Sequence, residues 1–126
     1  MFLTNKEIYN AYEQMTLAYN DNSKYFPAKI NFIIQKNKKA LSELAKTIEE
    51  SKQNIAKQHG TQDSTDVEVY HIPPELINQV NKELQDLMDV GYEVPIIKIS
   101  LEELKNLEFT ANQMEAIMFM IDESQV

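Results

Sequence analysis

The chain of 126 residues is 43% hydrophobic and 25% charged, with a net charge of −8, a size that suits one compact globular domain and is too short for two. It contains no Cys, which excludes disulfides, thiolate nucleophiles and Cys-ligated zinc. No apolar run reaches the ~18 residues needed to span a bilayer and MFLTNKEIYN is no secretory leader, so the expected setting is the cytoplasm.

Charge is unevenly spread. Residues 1–60 hold nine Lys against six acids, or +3, whereas residues 61–126 hold three Lys against fourteen acids, or −11. All twelve basic residues are Lys. Arg, whose planar fork suits phosphate and guanine contacts, is absent, so direct nucleic-acid binding is not expected.

The first element opens at LTNKEI: Thr4 with Glu7 forms a capping box, and Leu3 can staple to Ile8. Ile8, Tyr12, Met15 and Tyr19 form its buried stripe, and the polar NDNS at 20–23 ends it. Pro27 starts a second helix of about 30 residues, because no Gly or Pro follows before Gly60, a C′ candidate. Ile30, Ile34, Asn37, Leu41, Leu44, Ile48, Ser51 and Ile55 alternate steps of four and three along it, while Phe32, Ile33 and Ala40 widen the apolar face. Two polar positions in that seam favour a helix packed within the domain over a coiled-coil dimer. Lys36, Lys38, Lys39, Lys46 and Lys52 give the helix a basic side, which can pair with Glu43, Glu49 and Glu50 one turn away. It can also dock against acids of the second half.

VEVYHI at 67–72 reads as a short strand after the polar HGTQDSTD connector. Pro73-Pro74 opens a third helix whose apolar positions run from Leu76 to Met88, before Gly91. YEVPIIKI at 92–99 is the second strand, with Pro95 marking an edge or a bulge. Ser100 and Glu103 form a second capping box for a short helix over 101–106, and Thr110 with Gln113 a third. In the last helix, Met114, Ile117, Met118 and Ile121 make one apolar stripe, yet Ala116, Phe119 and Met120 fall on the opposite side. The expected fold is therefore mainly α (α+β): about five helices, one of about 30 residues, with a small two-stranded β element. It forms a single domain over 1–126, with a slightly basic helical hairpin at 1–60 and an acidic β-α-β-α-α part at 61–126.

With Gly only at 60 and 91, the Walker loop, dinucleotide fingerprint and nucleophile elbow are all absent. His59 and His71 stand in no nucleophile context, and together with Asp63 and Asp66 they match no compact metal-ligand spacing. Lys24 occupies a position in NDNSK where a calcium loop requires oxygen. No catalytic residue, metal or cofactor is expected, and the chain is read as a non-enzyme. A different pattern surrounds the last helix. Glu102, Glu103, Glu108, Glu115, Asp122 and Glu123 surround the second apolar face of Ala116, Phe119 and Met120. Carboxylates around an apolar centre suit a protein-binding surface, where charge steers approach and the apolar patch supplies affinity. The competing account is a helix buried on both faces by its own chain.

Three stretches, LTNKEIYN at 3–10, YFPAKINFIIQKNKK at 25–39 and FTANQMEAIMFMIDE at 109–123, together resemble a family of small uncharacterised proteins encoded by phages and prophages of Gram-positive bacteria. The resemblance implies a phage setting, hence the host cytoplasm, and no activity. The expected function is a non-enzymatic protein that binds and modulates or inhibits a host protein of nucleic-acid handling or defence. The alternative is a virion head or tail assembly factor or chaperone, a homo-oligomer that self-associates through the long helix and the last one.

Overall fold

The computed structural model describes residues 1–19, 26–67 and 69–122. The expected NDNS connector and Glu123 lie outside those residues. The architecture is mainly α with small two-stranded β pairings, and the hydrophobic core draws on both halves of the chain. No helix among the described residues is long and apolar enough to cross a membrane.

Helix α1 spans Asn5–Ala18 and carries the expected capping box: Thr4 Oγ1 accepts from the Glu7 amide, and the Glu7 carboxylate accepts from the Thr4 amide at 3.0 Å. Helix α2 spans Ala28–His59, 32 residues, with Pro27 at its N-cap. The two pack against each other, and Ile8, Met15 and Tyr19 bury completely or nearly so against Ile30, Ile34, Leu41 and Ile48. Tyr12, expected in the same stripe, is only half-buried. Phe32 was expected to widen the apolar face of α2, but it is 63% exposed because it points about 160° away from the centre of the buried stripe. Of the expected short-range pairs along α2, Lys52–Glu49 forms at 3.8 Å.

Gly60 ends α2 with φ −117°, an extended rather than left-handed conformation, so the expected left-handed C′ role does not hold. Close approach explains the glycine instead: a Cβ there would lie 2.8 Å from both the Ala56 carbonyl oxygen and Ile72 Cδ1. The strand expected at 67–72 shrinks to β3, Tyr70–His71, which pairs antiparallel with β2, Thr61–Gln62. Asp63 organises that connector. Its carboxylate accepts from the Thr65 hydroxyl and from the Thr65 and Asp66 amides, and lies 2.8 Å from His71 Nε2.

A 3-10 turn at Pro74–Leu76 leads into α3, Ile77–Met88. His59 Nε2 lies 2.6 Å from Glu83 Oε2 where α3 packs along the end of α2. The 92–99 segment is not one strand. It divides around Pro95 into β4, Gly91–Glu93, and β5, Ile99–Ser100, because proline has no N–H to continue a ladder. Nor do the two expected strands pair with each other. β4 pairs antiparallel with β1, Phe2–Thr4, a strand that the sequence reading missed. Buried Asn5 locks this ribbon to α3: its Nδ2 donates to the Leu87 carbonyl at 2.8 Å and its Oδ1 accepts from the Tyr92 hydroxyl at 2.6 Å.

Candidate protein-binding surface

After β5 the sequence SLEEL makes a single 3-10 turn, Leu101–Leu104, in place of the longer helix expected over 101–106. Ser100 Oγ accepts from the Glu103 amide at 3.3 Å, while the Glu103 carboxylate meets Lys29 of α2 at 2.8 Å. The turn stops because Lys105 is extended (ψ 135°) and Asn106 adopts φ 70°, a left-handed conformation that asparagine tolerates better than most residues. Leu107 and Phe109 then lead to Thr110, which caps α4, Ala111–Ile117. The expected box is complete, with Gln113 N donating to Thr110 Oγ1 at 3.1 Å and Thr110 N donating to Gln113 Oε1 at 3.0 Å.

Between the 3-10 turn and α4 opens a cleft of about 370 Å³ whose apolar wall comprises Leu101, Leu104, Leu107, Phe109 and Met114. Glu102 and Lys105, 3.9 Å apart, also line it. Phe109 packs tilted against Phe26 at 4.8 Å between ring centroids, and Phe26 against Tyr19 at 6.1 Å, so this wall continues into the core. The Tyr19 hydroxyl donates to the Gln113 carbonyl at 3.0 Å, and burial pushes its pKa well above the ordinary phenol value. The cleft residues were not singled out in the sequence reading. Their three-residue spacing at 101, 104 and 107 was the available signal, since a 3-10 turn places i and i+3 on one side.

The structure divides the sequence-derived surface. Glu102, Glu103, Glu108 and Glu115 are exposed, whereas Asp122 is half-buried in β6, Ile121–Asp122, which pairs parallel with β5. Glu108 and Glu115 make no ion pair among the described residues. The expected second apolar face is corrected. Ala116 is 1% and Met120 0% exposed, and Phe119 is half-buried against the core. Conversely Met118, assigned to the buried stripe, is 58% exposed.

The cause is where the buried arc is centred: at 100° per residue Gln113, Ala116, Ile117 and Met120 fall within about 100° of one another, and Met118 lies about 150° from their centre. The α-helix stops at Ile117, and Met118–Met120 tighten into a 3-10 turn. Three residues per turn in place of 3.6 brings Met120 still closer to the side of Ile117, three positions before it. Met120 thereby reaches the long helix, where Asn37 Nδ2 lies 3.3 Å from its sulfur, and α1 packs on α4. The apolar surplus of the last helix is thus mostly covered by the protein's own side chains. What stays open is the neighbouring cleft together with Met118.

Among the described residues, no group of three or more His, Asp or Glu side chains is placed to hold a metal ion. Comparison with known proteins gave no match to a family model, a curated protein or a solved structure.

Proposed function

We propose that this chain is a non-enzymatic protein-binding module that docks through the cleft between Leu101 and Met114 and modulates its partner. The observation that carries this reading is the juxtaposition of an apolar recess with exposed carboxylates. Glu102 lines the recess, and Glu108 and Glu115 alternate along the chain with its lining residues Leu107, Phe109 and Met114. Such a surface suits a partner with an apolar anchor set in a basic patch, because opposite charge speeds encounter and the apolar centre holds the complex. In the phage setting implied by the resemblance of residues 3–10, 25–39 and 109–123, that partner is a host protein of nucleic-acid handling or defence, whose basic channel the acidic half occupies.

Capture from host lysate, followed by binding measurements with the purified partner, tests this. Glu102→Lys with Glu108→Lys is expected to slow association and weaken binding at least about tenfold, a loss of ~1.4 kcal/mol. Unchanged binding after the double reversal counts against the reading. A second reading, a virion assembly factor acting by self-association, is favoured by exposed Phe32 on α2 and exposed Met118 on the last helix. Light scattering separates the two, since a defined oligomer that Phe32→Lys or Met118→Lys dissociates supports assembly.

A further inference from the structure

A second recess lies between α1 and α2, on a different face from Phe32. It measures about 370 Å³ and is lined by Tyr12, Thr16, Ser42 and Ala45 along its length. One end is closed by Tyr9, whose hydroxyl donates to Glu49 at 3.2 Å and whose ring lies under the Lys52 ammonium at 4.8 Å. At the other end stands Leu17, 81% exposed and thus the most exposed large apolar side chain among the described residues. A smaller hollow between α1 and α4 flanks Leu17 on its far side, so the leucine projects as a ridge between two recesses.

A projecting apolar side chain beside an apolar recess is self-complementary under a two-fold axis, because each copy's projection can fill the other's recess. The charges agree with that occupant. Glu13 on α1 and Lys46 on α2 both border the recess, both are exposed, and neither forms an ion pair among the described residues. A partner of one charge would satisfy one of them and repel the other. A second copy presents both signs, and the two-fold operation sets Glu13 of each against Lys46 of the other. We propose that the α1–α2 face is the contact of a two-fold homodimer in which Leu17 of each copy enters the Tyr12–Ala45 recess of the other, flanked by reciprocal Glu13–Lys46 pairs.

Sedimentation velocity across a concentration series up to the millimolar range tests the proposal on the full chain, with circular dichroism reporting the fold. The wild type is expected to dimerise, and Leu17→Lys to raise the dimer dissociation constant at least about tenfold. Glu13→Lys and Lys46→Glu are each expected to weaken the dimer, and the double exchange to restore it, since like charges then become opposite again. A wild type that stays monomeric throughout overturns the proposal. So does a dimer that survives Leu17→Lys but dissociates on Met118→Lys, which would place self-association at the last helix. The variants leave Glu102 and Glu108 intact, so loss of the dimer and loss of partner binding are separately readable.

Discussion

Asn37 and Ile97 exchange two hydrogen bonds of 2.8 Å: Asn37 Nδ2 donates to the Ile97 carbonyl, and the Ile97 amide donates to Asn37 Oδ1. The side-chain amide thus acts as a strand neighbour for a segment whose own ladder Pro95 interrupts. Asn37 is fully buried, and its third contact, to Met120, brings the last helix to the same point on α2. Asn37→Leu keeps the volume but leaves both Ile97 groups unmatched. Urea melts are expected to show a loss of about 1–3 kcal/mol, because both groups lose their partner but Ile97 is part-exposed and water can offset some of the cost. A neutral substitution would show that the 94–98 segment holds its place without this clasp.

The buried arc of the last helix predicts an order of side-chain importance. Ile117 and Met120 are both fully buried, so alanine at either is expected to cost about 2–5 kcal/mol. Met118→Ala is expected to stay within ~0.5 kcal/mol of wild type, as exposed substitutions do. Thermal melts of the three variants check this; a Met118 loss equal to that of Met120 would mean that Met118 is packed in the core as well.

The two glycines are expected to respond differently to alanine. At Gly60 the new methyl meets the Ala56 carbonyl oxygen and Ile72 Cδ1, both at 2.8 Å, and backbone cannot step aside. At Gly91 it meets the Phe2 ring at 2.5 Å, but that ring is 62% exposed and free to swing away. Gly60→Ala should therefore cost about 1–3 kcal/mol, and Gly91→Ala clearly less, as read from chemical denaturation.

Acid should loosen the β2–β3 connector. The Thr65 hydroxyl, His71 and the Thr65 and Asp66 amides hold the Asp63 carboxyl far below its ordinary range. Because the folded-state pKa is depressed, this stability is present above the unfolded value of ~4 and is lost as pH falls through the folded one. Hydrogen exchange at the Asp63 amide, which donates to the Val69 carbonyl at 2.8 Å, should accelerate on acidification relative to neighbouring helices. Asp63→Asn should flatten that dependence.

At alkaline pH Tyr19 is the weak point. Burial raises its pKa, so its contribution is present below the unfolded value of ~10 and is lost as pH rises toward the folded one. Tyr12 moves the other way, since the Ser42 hydroxyl beside it favours the phenolate. Absorbance titration is expected to show Tyr12 ionising ahead of the ordinary range and Tyr19 last, with alkaline unfolding. Tyr19→Phe should remove the last step.

What the sequence by itself determined was local: the Thr4–Glu7 and Thr110–Gln113 boxes, the 32-residue α2 between Pro27 and Gly60, and the mainly helical class. Caps, proline and hydrophobic period act over a few residues, so their effect can be read along the chain. The tertiary structure decided whatever depended on partners distant in sequence. β1 pairs with a strand some ninety positions away, Asn37 turned from a flaw in the seam into a clasp, and Glu103 left its cap for Lys29. It also decided which part of the acidic half keeps an apolar opening. A helical wheel gives relative angles but not which arc meets the core, and packing against Asn37 and α1 buries the arc of Gln113, Ala116, Ile117 and Met120 and leaves Met118 outside it.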